Sequence, residues 1–367
     1  MVTAADLVTT TNGEFRSLHT NSKGQKLDPK GLLGLHGNKI DFHLLSALTG
    51  RSVLKAAEFD RGTVIELCKF ACLLEISEIA SHHPLDGKTV ITAFFEASTR
   101  TRLSFESAAL RLDGKVLSVP DGRVTGIAKG ESLADIGEMF NTYGDLVIMR
   151  HTETEAIDEI QQNLQIPLVN AGNGSGEHPT QALLDWYSLL KWRPDFSVES
   201  PAKEKIHLGI IGTPGNMRAV KSFLYMALLF SSSIQHLSII SEMADPLGEG
   251  LTEALKRSGI PLAITNDVEE VVSDLDVIYM NSIALLGDSY KALDSRYKLN
   301  ADSPLKPGAV IMHPLARRGE LDTTLDVTPH NLYFAQAAGA VFIRQALLIS
   351  VLGRLNRIPP SVLYLAS

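Results

Sequence analysis

The stretch KTVITAFFEASTRTRLSFESAALRL, residues 88–112, changes its period in the middle. Its first nine residues are largely β-branched and aromatic, as in a buried strand, whereas RLSFESAALRL has the spacing of a helix. Between them, Ser98, Thr99, Arg100, Thr101 and Arg102 put three hydroxyls and two guanidiniums into five consecutive residues. At a strand-to-helix turn, backbone N–H groups and the positive end of the helix dipole converge on one spot. Planar arginine forks match phosphate oxygens there. The run therefore reads as a βα unit whose turn binds a phosphate-bearing ligand. The plainer alternative, a solvated helix start paired to Glu96 and Glu106, would scatter its charges instead of alternating arginine with hydroxyl at the end of a buried strand.

The same alternation extends in both directions. A helical pattern at about 61–80 precedes the unit. KVLSVP, GDLVIMR and IPLVNAG follow as strands, with SLADIGEMFNTY and TEAIDEIQQNL as helices between them. After the helix PTQALLDWYSLLKW, the Pro- and charge-containing stretch RPDFSVESPAKEK marks an interior boundary. A second alternation then runs through the strands IHLGIIG, IQHLSIIS, LDVIYM and AVIMHP, with EGLTEALKRSG and DVEEVVSDL as helices, and the chain closes on a long helical pattern at 331–356. Strands alternating with helices give parallel sheets covered on both faces. The expected fold is thus α/β, two doubly wound parallel-sheet domains in tandem with an active-site crevice between them. Residues 1–50 are an N-terminal extension whose first ~25 form a flexible tail. Residues 51–193, completed by the C-terminal helix 335–367, form one domain and 194–334 the other.

Composition limits the function. The 367 residues are 44% hydrophobic with a net charge of −8, which argues against nucleic acid as a main partner while leaving room for a locally basic cleft. No apolar run approaches the ~18 to 20 residues of a membrane helix, and the polar N-terminus lacks a secretory core; the expectation is a cytoplasmic protein with no membrane partner. The two cysteines, Cys68 and Cys72, share a helix face as buried thiols, and no His or Cys set nearby makes a metal site.

Other strand ends carry chemistry too. VIMRH ends in Arg150 and His151, and NAGNGSGEHPTQALLD runs from a strand through a Gly-rich loop into a helix with Pro179 in its first turn. His178 and Gln181 are three apart and share a face; a neutral His with a Gln suits a planar carbonyl bearing an NH₂ group, although HPTQ alone also serves as a helix cap. IGTPGNMRAVKS places Arg218 after a glycine turn without the G-x-G-x-x-G spacing of a dinucleotide site, able to grip a carboxylate or to pair with a surface acid. IMHPLARRGEL sets Pro314, Leu315 and Arg317 at a further strand end.

In order and spacing, FFEASTRTRLSFE, VIMRH, HPTQALLD, HPL and PHNLYFAQAAGAVFIRQALL resemble the aspartate/ornithine carbamoyltransferase family, from roughly residue 55 to the C-terminus, and its aspartate branch in particular. The resemblance implies transfer of a carbamoyl group from carbamoyl phosphate to an amine, with neither metal nor cofactor. It implies that Ser98, Thr99, Arg100 and Thr101 hold the phosphate and that Arg150 lies near both phosphate and carbonyl. His178 would polarise the carbonyl and Gln181 contact the carbamoyl NH₂. Lys129, in TGIAKGESLAD, matches a loop lysine that members insert into the adjacent subunit's site, implying a homotrimer with shared active sites. Arg218 would bind the acceptor's α-carboxylate, and the Pro314 and Leu315 backbone would receive the amine and carbamoyl groups. Arg102 and Glu96 would be structural. A regulatory chain is left open.

The acceptor half departs from the pattern. Where aspartate enzymes carry Thr-Arg-x-Gln to hold the side-chain carboxylate, this chain has Ser282 and Ala284. The usual Leu-Pro is Leu315-Ala316, a second loop lysine is Ala128, and a loop serine is Thr125. An unpaired carboxylate in a desolvated pocket is costly. Either Arg317 or Arg318 takes over that grip, or the acceptor is an amino acid or amine other than aspartate. Three functions follow: a carbamoyltransferase with an altered acceptor, a genuine aspartate carbamoyltransferase, or a non-catalytic ligand- or partner-binding paralogue.

Overall fold

The computed structural model describes residues 26–199, 204–281, 283–286, 289–292 and 297–359; the first 25 residues, Ser282 and the stretch 360–367 of the C-terminal helix expected over 335–367 lie outside them. Two parallel sheets organise the chain. The first is built from β1 (Thr89–Phe94), β2 (Lys115–Val119), β3 (Leu146–His151) and β4 (Leu168–Asn173), in the order β2-β1-β3-β4. The second contains β5 (Ile206–Ile211), β6 (Ile234–Ile240), β7 (Leu262–Thr265), β8 (Val277–Met280) and β11 (Val310–Met312), in the order β11-β8-β5-β6-β7. Between β8 and β11 the chain forms an antiparallel hairpin, β9 (Ile283–Leu286) and β10 (Ser289–Ala292). The strand order reverses between β1 and β3 in one sheet and between β5 and β8 in the other. These are the switch points at which α/β sheets open a crevice beyond their carboxyl ends.

The helices are α1 (Pro29–Leu35), α2 (Phe42–Ser46), α3 (Arg61–Ile76), α4 (Thr99–Arg111), α5 (Leu133–Tyr143), α6 (Ala156–Gln161), α7 (Pro179–Trp192), α8 (Arg218–Leu228), α9 (Glu249–Ser258), α10 (Tyr333–Ala338) and α11 (Ala340–Val351). Local chemistry sets several of their starts. Asp60 caps α3 by accepting from the Thr63 N–H at 2.8 Å, Ser132 caps α5 through Asp135, and Pro179 opens α7 where its missing N–H costs nothing. Residues 26–50, read from sequence as part of the N-terminal extension, include α1 and α2, which bury Leu32, Leu33 and Leu45 in the core.

Three readings need correction. DVEEVVSDL is not an α-helix but a turn ending in the short 3₁₀ segment Val272–Asp274. Consecutive valines are poor helix formers, and the Asp267 carboxylate binds its own backbone at Glu269. PLAIT, given no element, supplies the edge strand β7, whose Leu262 and Ile264 face outward. The C-terminal helical pattern divides at Gly339, where a Cβ would lie 3.0 Å from the Tyr187 ring; glycine there lets the chain pass close over α7. The run Tyr333–Val351, at 19 residues, is also longer and more apolar than the sequence reading allowed, but 72% of its apolar 18-residue window is buried inside the protein, where α11 packs on α3 and α4.

An aromatic stack crosses from α7 to the second sheet. Trp186 lies 4.1 Å from Phe230 and 5.9 Å from Phe223, which in turn stacks 4.4 Å from Tyr279 on β8. Rings at such separations contribute beyond the area they bury, so α7 is held firmly against the other half of the molecule.

Candidate active site

The carboxyl ends of β1, β3, β4, β5, β8 and β11 converge on one cavity of about 680 Å³. The first wall is the turn after β1: Ser98, Thr99, Arg100 and Thr101 line the cavity where α4 begins, and Ser98 is the N-cap residue of that helix without using its hydroxyl on the backbone. Arg102 turns away. It binds Glu106 at 3.1 Å, and Glu106 also accepts from Thr92 and Ser118, so this pair braces the turn.

Arg150 enters from the end of β3 and Arg218 from the start of α8, on the second half. Both donate to the same oxygen of Glu96, each at 2.7 Å. Burial alone would push the Glu96 pKa up, but the hydrogen bond from Arg218 and the two guanidinium charges hold it below the usual carboxylate value. Arg218 also donates to the Gly174 carbonyl at 2.9 Å. It passes so close to Gly172, whose φ is +111°, that a Cβ there would sit 3.0 Å from its Nε. Glu96 therefore does more than the structural part read from sequence: it ties the two halves together at the centre of the site.

His178 is the N-cap residue of α7, and its backbone N–H donates to Ser222 on α8 at 2.8 Å. The ring is buried, with Nδ1 3.3 Å from the Thr180 hydroxyl. Burial first, then the charges of Arg150, Arg218 and Arg344, keeps its pKa well below the ordinary value, so the imidazole is neutral. Gln181, one turn along, donates to Asp185 at 2.7 Å. On the opposite wall, Pro314 and Leu315 follow β11, and the Leu315–Ala316 peptide is cis although no proline follows Leu315. His313 accepts from the Leu315 N–H through Nδ1 at 2.8 Å and faces Glu320 through Nε2 at 3.1 Å, which fixes its tautomer.

Sequence reasoning thus gathered Ser98 to Thr101, Arg150, His178, Gln181, Arg218, Pro314 and Leu315 around one cavity. Other residues it named are elsewhere. Lys129 is exposed on the 3₁₀ turn Gly126–Lys129 and does not line the cavity of its own chain. Arg317, expected to hold an acceptor carboxylate, does not line the cavity: it forms a bidentate pair with the buried Asp326 and reaches the Tyr333 hydroxyl at 3.3 Å. Arg318 is exposed. Ala284 lies in β9 opposite Lys291. The reading also missed lining residues: Ser104 on α4, Gln336 on α10 and Arg344 on α11, whose guanidinium donates to the Ser104 hydroxyl and lies over Phe105. Gln336 and Arg344 come from an apolar C-terminal run, where a polar residue at a helical interval was the available signal.

Comparisons with known proteins cover both halves of the chain. Residues 51–191 match the family model described as aspartate/ornithine carbamoyltransferase, carbamoyl-P binding domain, and residues 204–351 match the model of the Asp/Orn binding domain. An aspartate carbamoyltransferase catalytic subunit from Pyrobaculum calidifontis is 35% identical over 83% of this chain and 98% of its own length. A chloroplastic aspartate carbamoyltransferase from Oryza sativa subsp. japonica is 35% identical over 81% of this chain and 83% of its own length. Among solved structures, an aspartate transcarbamoylase from Trypanosoma cruzi in complex with carbamoyl phosphate and aspartate superposes with a TM-score of 0.73 at 32% identity, covering 84% of this chain and 97% of that one.

Proposed function

This chain belongs to the aspartate/ornithine carbamoyltransferase family, and from that premise we propose that it moves the carbamoyl group of carbamoyl phosphate to the amine of an amino acid. The observation that carries the proposal is the joining of a hydroxyl- and arginine-rich helix start to a neutral buried histidine and an orientable glutamine in one cavity. Ser98, Thr99, Arg100 and Thr101 bind the phosphate, and Arg150 spans phosphate and carbonyl. Neutral His178 donates to the carbonyl oxygen, so that Thr101, Arg150 and His178 stabilise the oxyanion formed when the neutral amine attacks. Arg218 takes the α-carboxylate, and the backbone at Pro314 and Leu315 receives the amine and carbamoyl groups. Holding both substrates in one crevice contributes up to ~7 to 11 kcal/mol through orientation. We assign the donor half to residues 51–193 with the C-terminal helix and the acceptor half to 194–334.

The names of the relatives favour L-aspartate as acceptor. A second reading, an acceptor without a side-chain carboxylate, is favoured by Ser282 and Ala284 in the expected grip and by the engagement of Arg317 with Asp326. Phosphate release from carbamoyl phosphate, measured with L-aspartate against a panel of amino acids and diamines, tests both. Aspartate-dependent release establishes the first acceptor, and release with another amine alone establishes the second. No release with any amine, combined with tight binding of a phosphonate analogue, identifies a non-catalytic paralogue and refutes the proposal.

We further propose a homotrimer in which Lys129 completes a neighbour's site. The exposure of Lys129, together with that of Leu117 at 47% on the edge strand β2, supports that reading.

A further inference from the structure

Asp185 on α7 is fully buried and does not line the cavity, yet three groups from three parts of the chain converge on it. Gln181, one turn earlier, and Gln336, on α10, each donate an amide N–H to Oδ1, at 2.7 and 2.6 Å. Tyr279 on β8 donates to Oδ2 at 2.8 Å. Gln336 uses its other end as well: its carbonyl oxygen accepts the His313 N–H at 3.0 Å. That bond fixes the orientation of the Gln336 amide, since a backbone N–H requires an oxygen partner. Oδ1 must then be an acceptor, which requires Gln181 to present its NH₂ group to it. The carbonyl oxygen of Gln181 is left for the cavity.

We propose that Asp185 is a positioning residue for the donor substrate: it turns the Gln181 carbonyl oxygen toward the carbamoyl NH₂ and, through Gln336, holds the His313–Leu315 backbone at the facing wall. The assignment rests on the carbamoyl-transfer reading. Without Asp185 the Gln181 amide loses the bond that selects between its two orientations, and in the flipped one an NH₂ group faces the NH₂ of the substrate. Contacts to the phosphate, which come from the α4 turn and from Arg150, are unaffected. The signature is a loss of preference for carbamoyl phosphate over inorganic phosphate, not a general loss of binding.

Calorimetric titration of both anions onto the full-length wild type, Asp185→Ala, Asp185→Asn and Tyr279→Phe reads that preference. A wild type that binds the two anions equally refutes the carbamoyl-transfer reading itself. With a preference present, Asp185→Ala is expected to reduce it about tenfold, the scale of one lost directional hydrogen bond and a misplaced donor. Phosphate affinity should hold within about threefold. Asp185→Asn, which keeps an oxygen able to accept from both glutamines, retains most of the preference. Tyr279→Phe, which leaves both glutamine contacts in place, lowers stability without changing it. An alanine variant with an unchanged ratio, or a tyrosine variant that loses the ratio as the alanine does, overturns the proposal by showing a role in stability alone. Should the alanine chain fail to fold, Asp185→Ser carries the same expectation, because its hydroxyl is too short to reach the amides and the space beside it admits water.

Discussion

At the scale of single residues, the chemistry depends on a histidine that stays uncharged. His178 sits among three arginines and is buried, and both conditions disfavour the imidazolium. Replacing it by alanine is expected to lower kcat about 10²- to 10³-fold, the usual effect of removing one oxyanion donor, with little change in phosphate affinity; steady-state kinetics and phosphate titration check the two halves. Stability should follow the same groups. His151, His178 and His313 all have pKa values lowered chiefly by burial. The folded state refuses protons that the unfolded chain accepts below about pH 6.5, so their contribution is complete above that pH and is lost as pH falls. Asp185 has the opposite sign. Burial raises its pKa to about 7, so its contribution is present below the unfolded value and lost as pH rises toward 7. Each group changes stability by at most about 1.4 kcal/mol per pH unit. His36 and His207, also lowered chiefly by burial, add to the histidine side, and Glu177, raised by burial, joins Asp185, so five groups of the first sign stand against two of the second between pH 5 and 6.5. Urea midpoints should rise over that interval and level off above pH 7, and the rise should be steeper in Asp185→Asn.

At the scale of elements, α7 is the pivot. It carries His178, Gln181 and Asp185 on the face toward the site and Tyr187 and Lys191 on the face toward α3, where Lys191 pairs with Glu75 at 2.9 Å in a buried setting and Tyr187 donates to the same carboxylate. Lys191→Met leaves that carboxylate without its cation. Such a break costs about 3–5 kcal/mol, measurable by urea unfolding, while KM should be nearly unchanged because the pair lies away from the cavity. Much of this level was legible in the sequence. Strand β1 and helices α4 and α7 were read closely because buried β-branched runs and helical periods with Pro or Ser at the start are strong local signals. The failures were segments governed by their surroundings. Edge strand β7 keeps its apolar side chains outward, so it lacks a buried period; the division at Gly339 depends on the distance to Tyr187, which no local pattern records.

At the scale of the whole molecule, the site is bipartite, and the proposed trimer divides it further. The complementation experiment follows from that. Arg100→Ala and Lys129→Ala chains, each inactive alone, should regain about a quarter of wild-type activity when mixed, dissociated and reassembled, because that share of interfaces joins an intact Arg100 to a neighbour's intact Lys129 in a cyclic assembly. Mixed chains that stay inactive after verified exchange mean that each site is complete within one subunit.

The sequence by itself determined the two parallel-sheet halves, the anion-binding turn at 98–101 and the histidine and glutamine that accompany it, because strand ends, helix starts and hydroxyl–arginine runs are local chemistry. Only the tertiary structure decided that Glu96 joins Arg150 to Arg218, that Arg317 pairs with Asp326, and that Asp185 holds two glutamines from distant parts of the chain. The physical reason is one of sequence distance. A hydrogen bond between residues 151 positions apart, as from Gln336 to Asp185, exists only once both sheets have packed, and until then each side chain carries no mark of its partner.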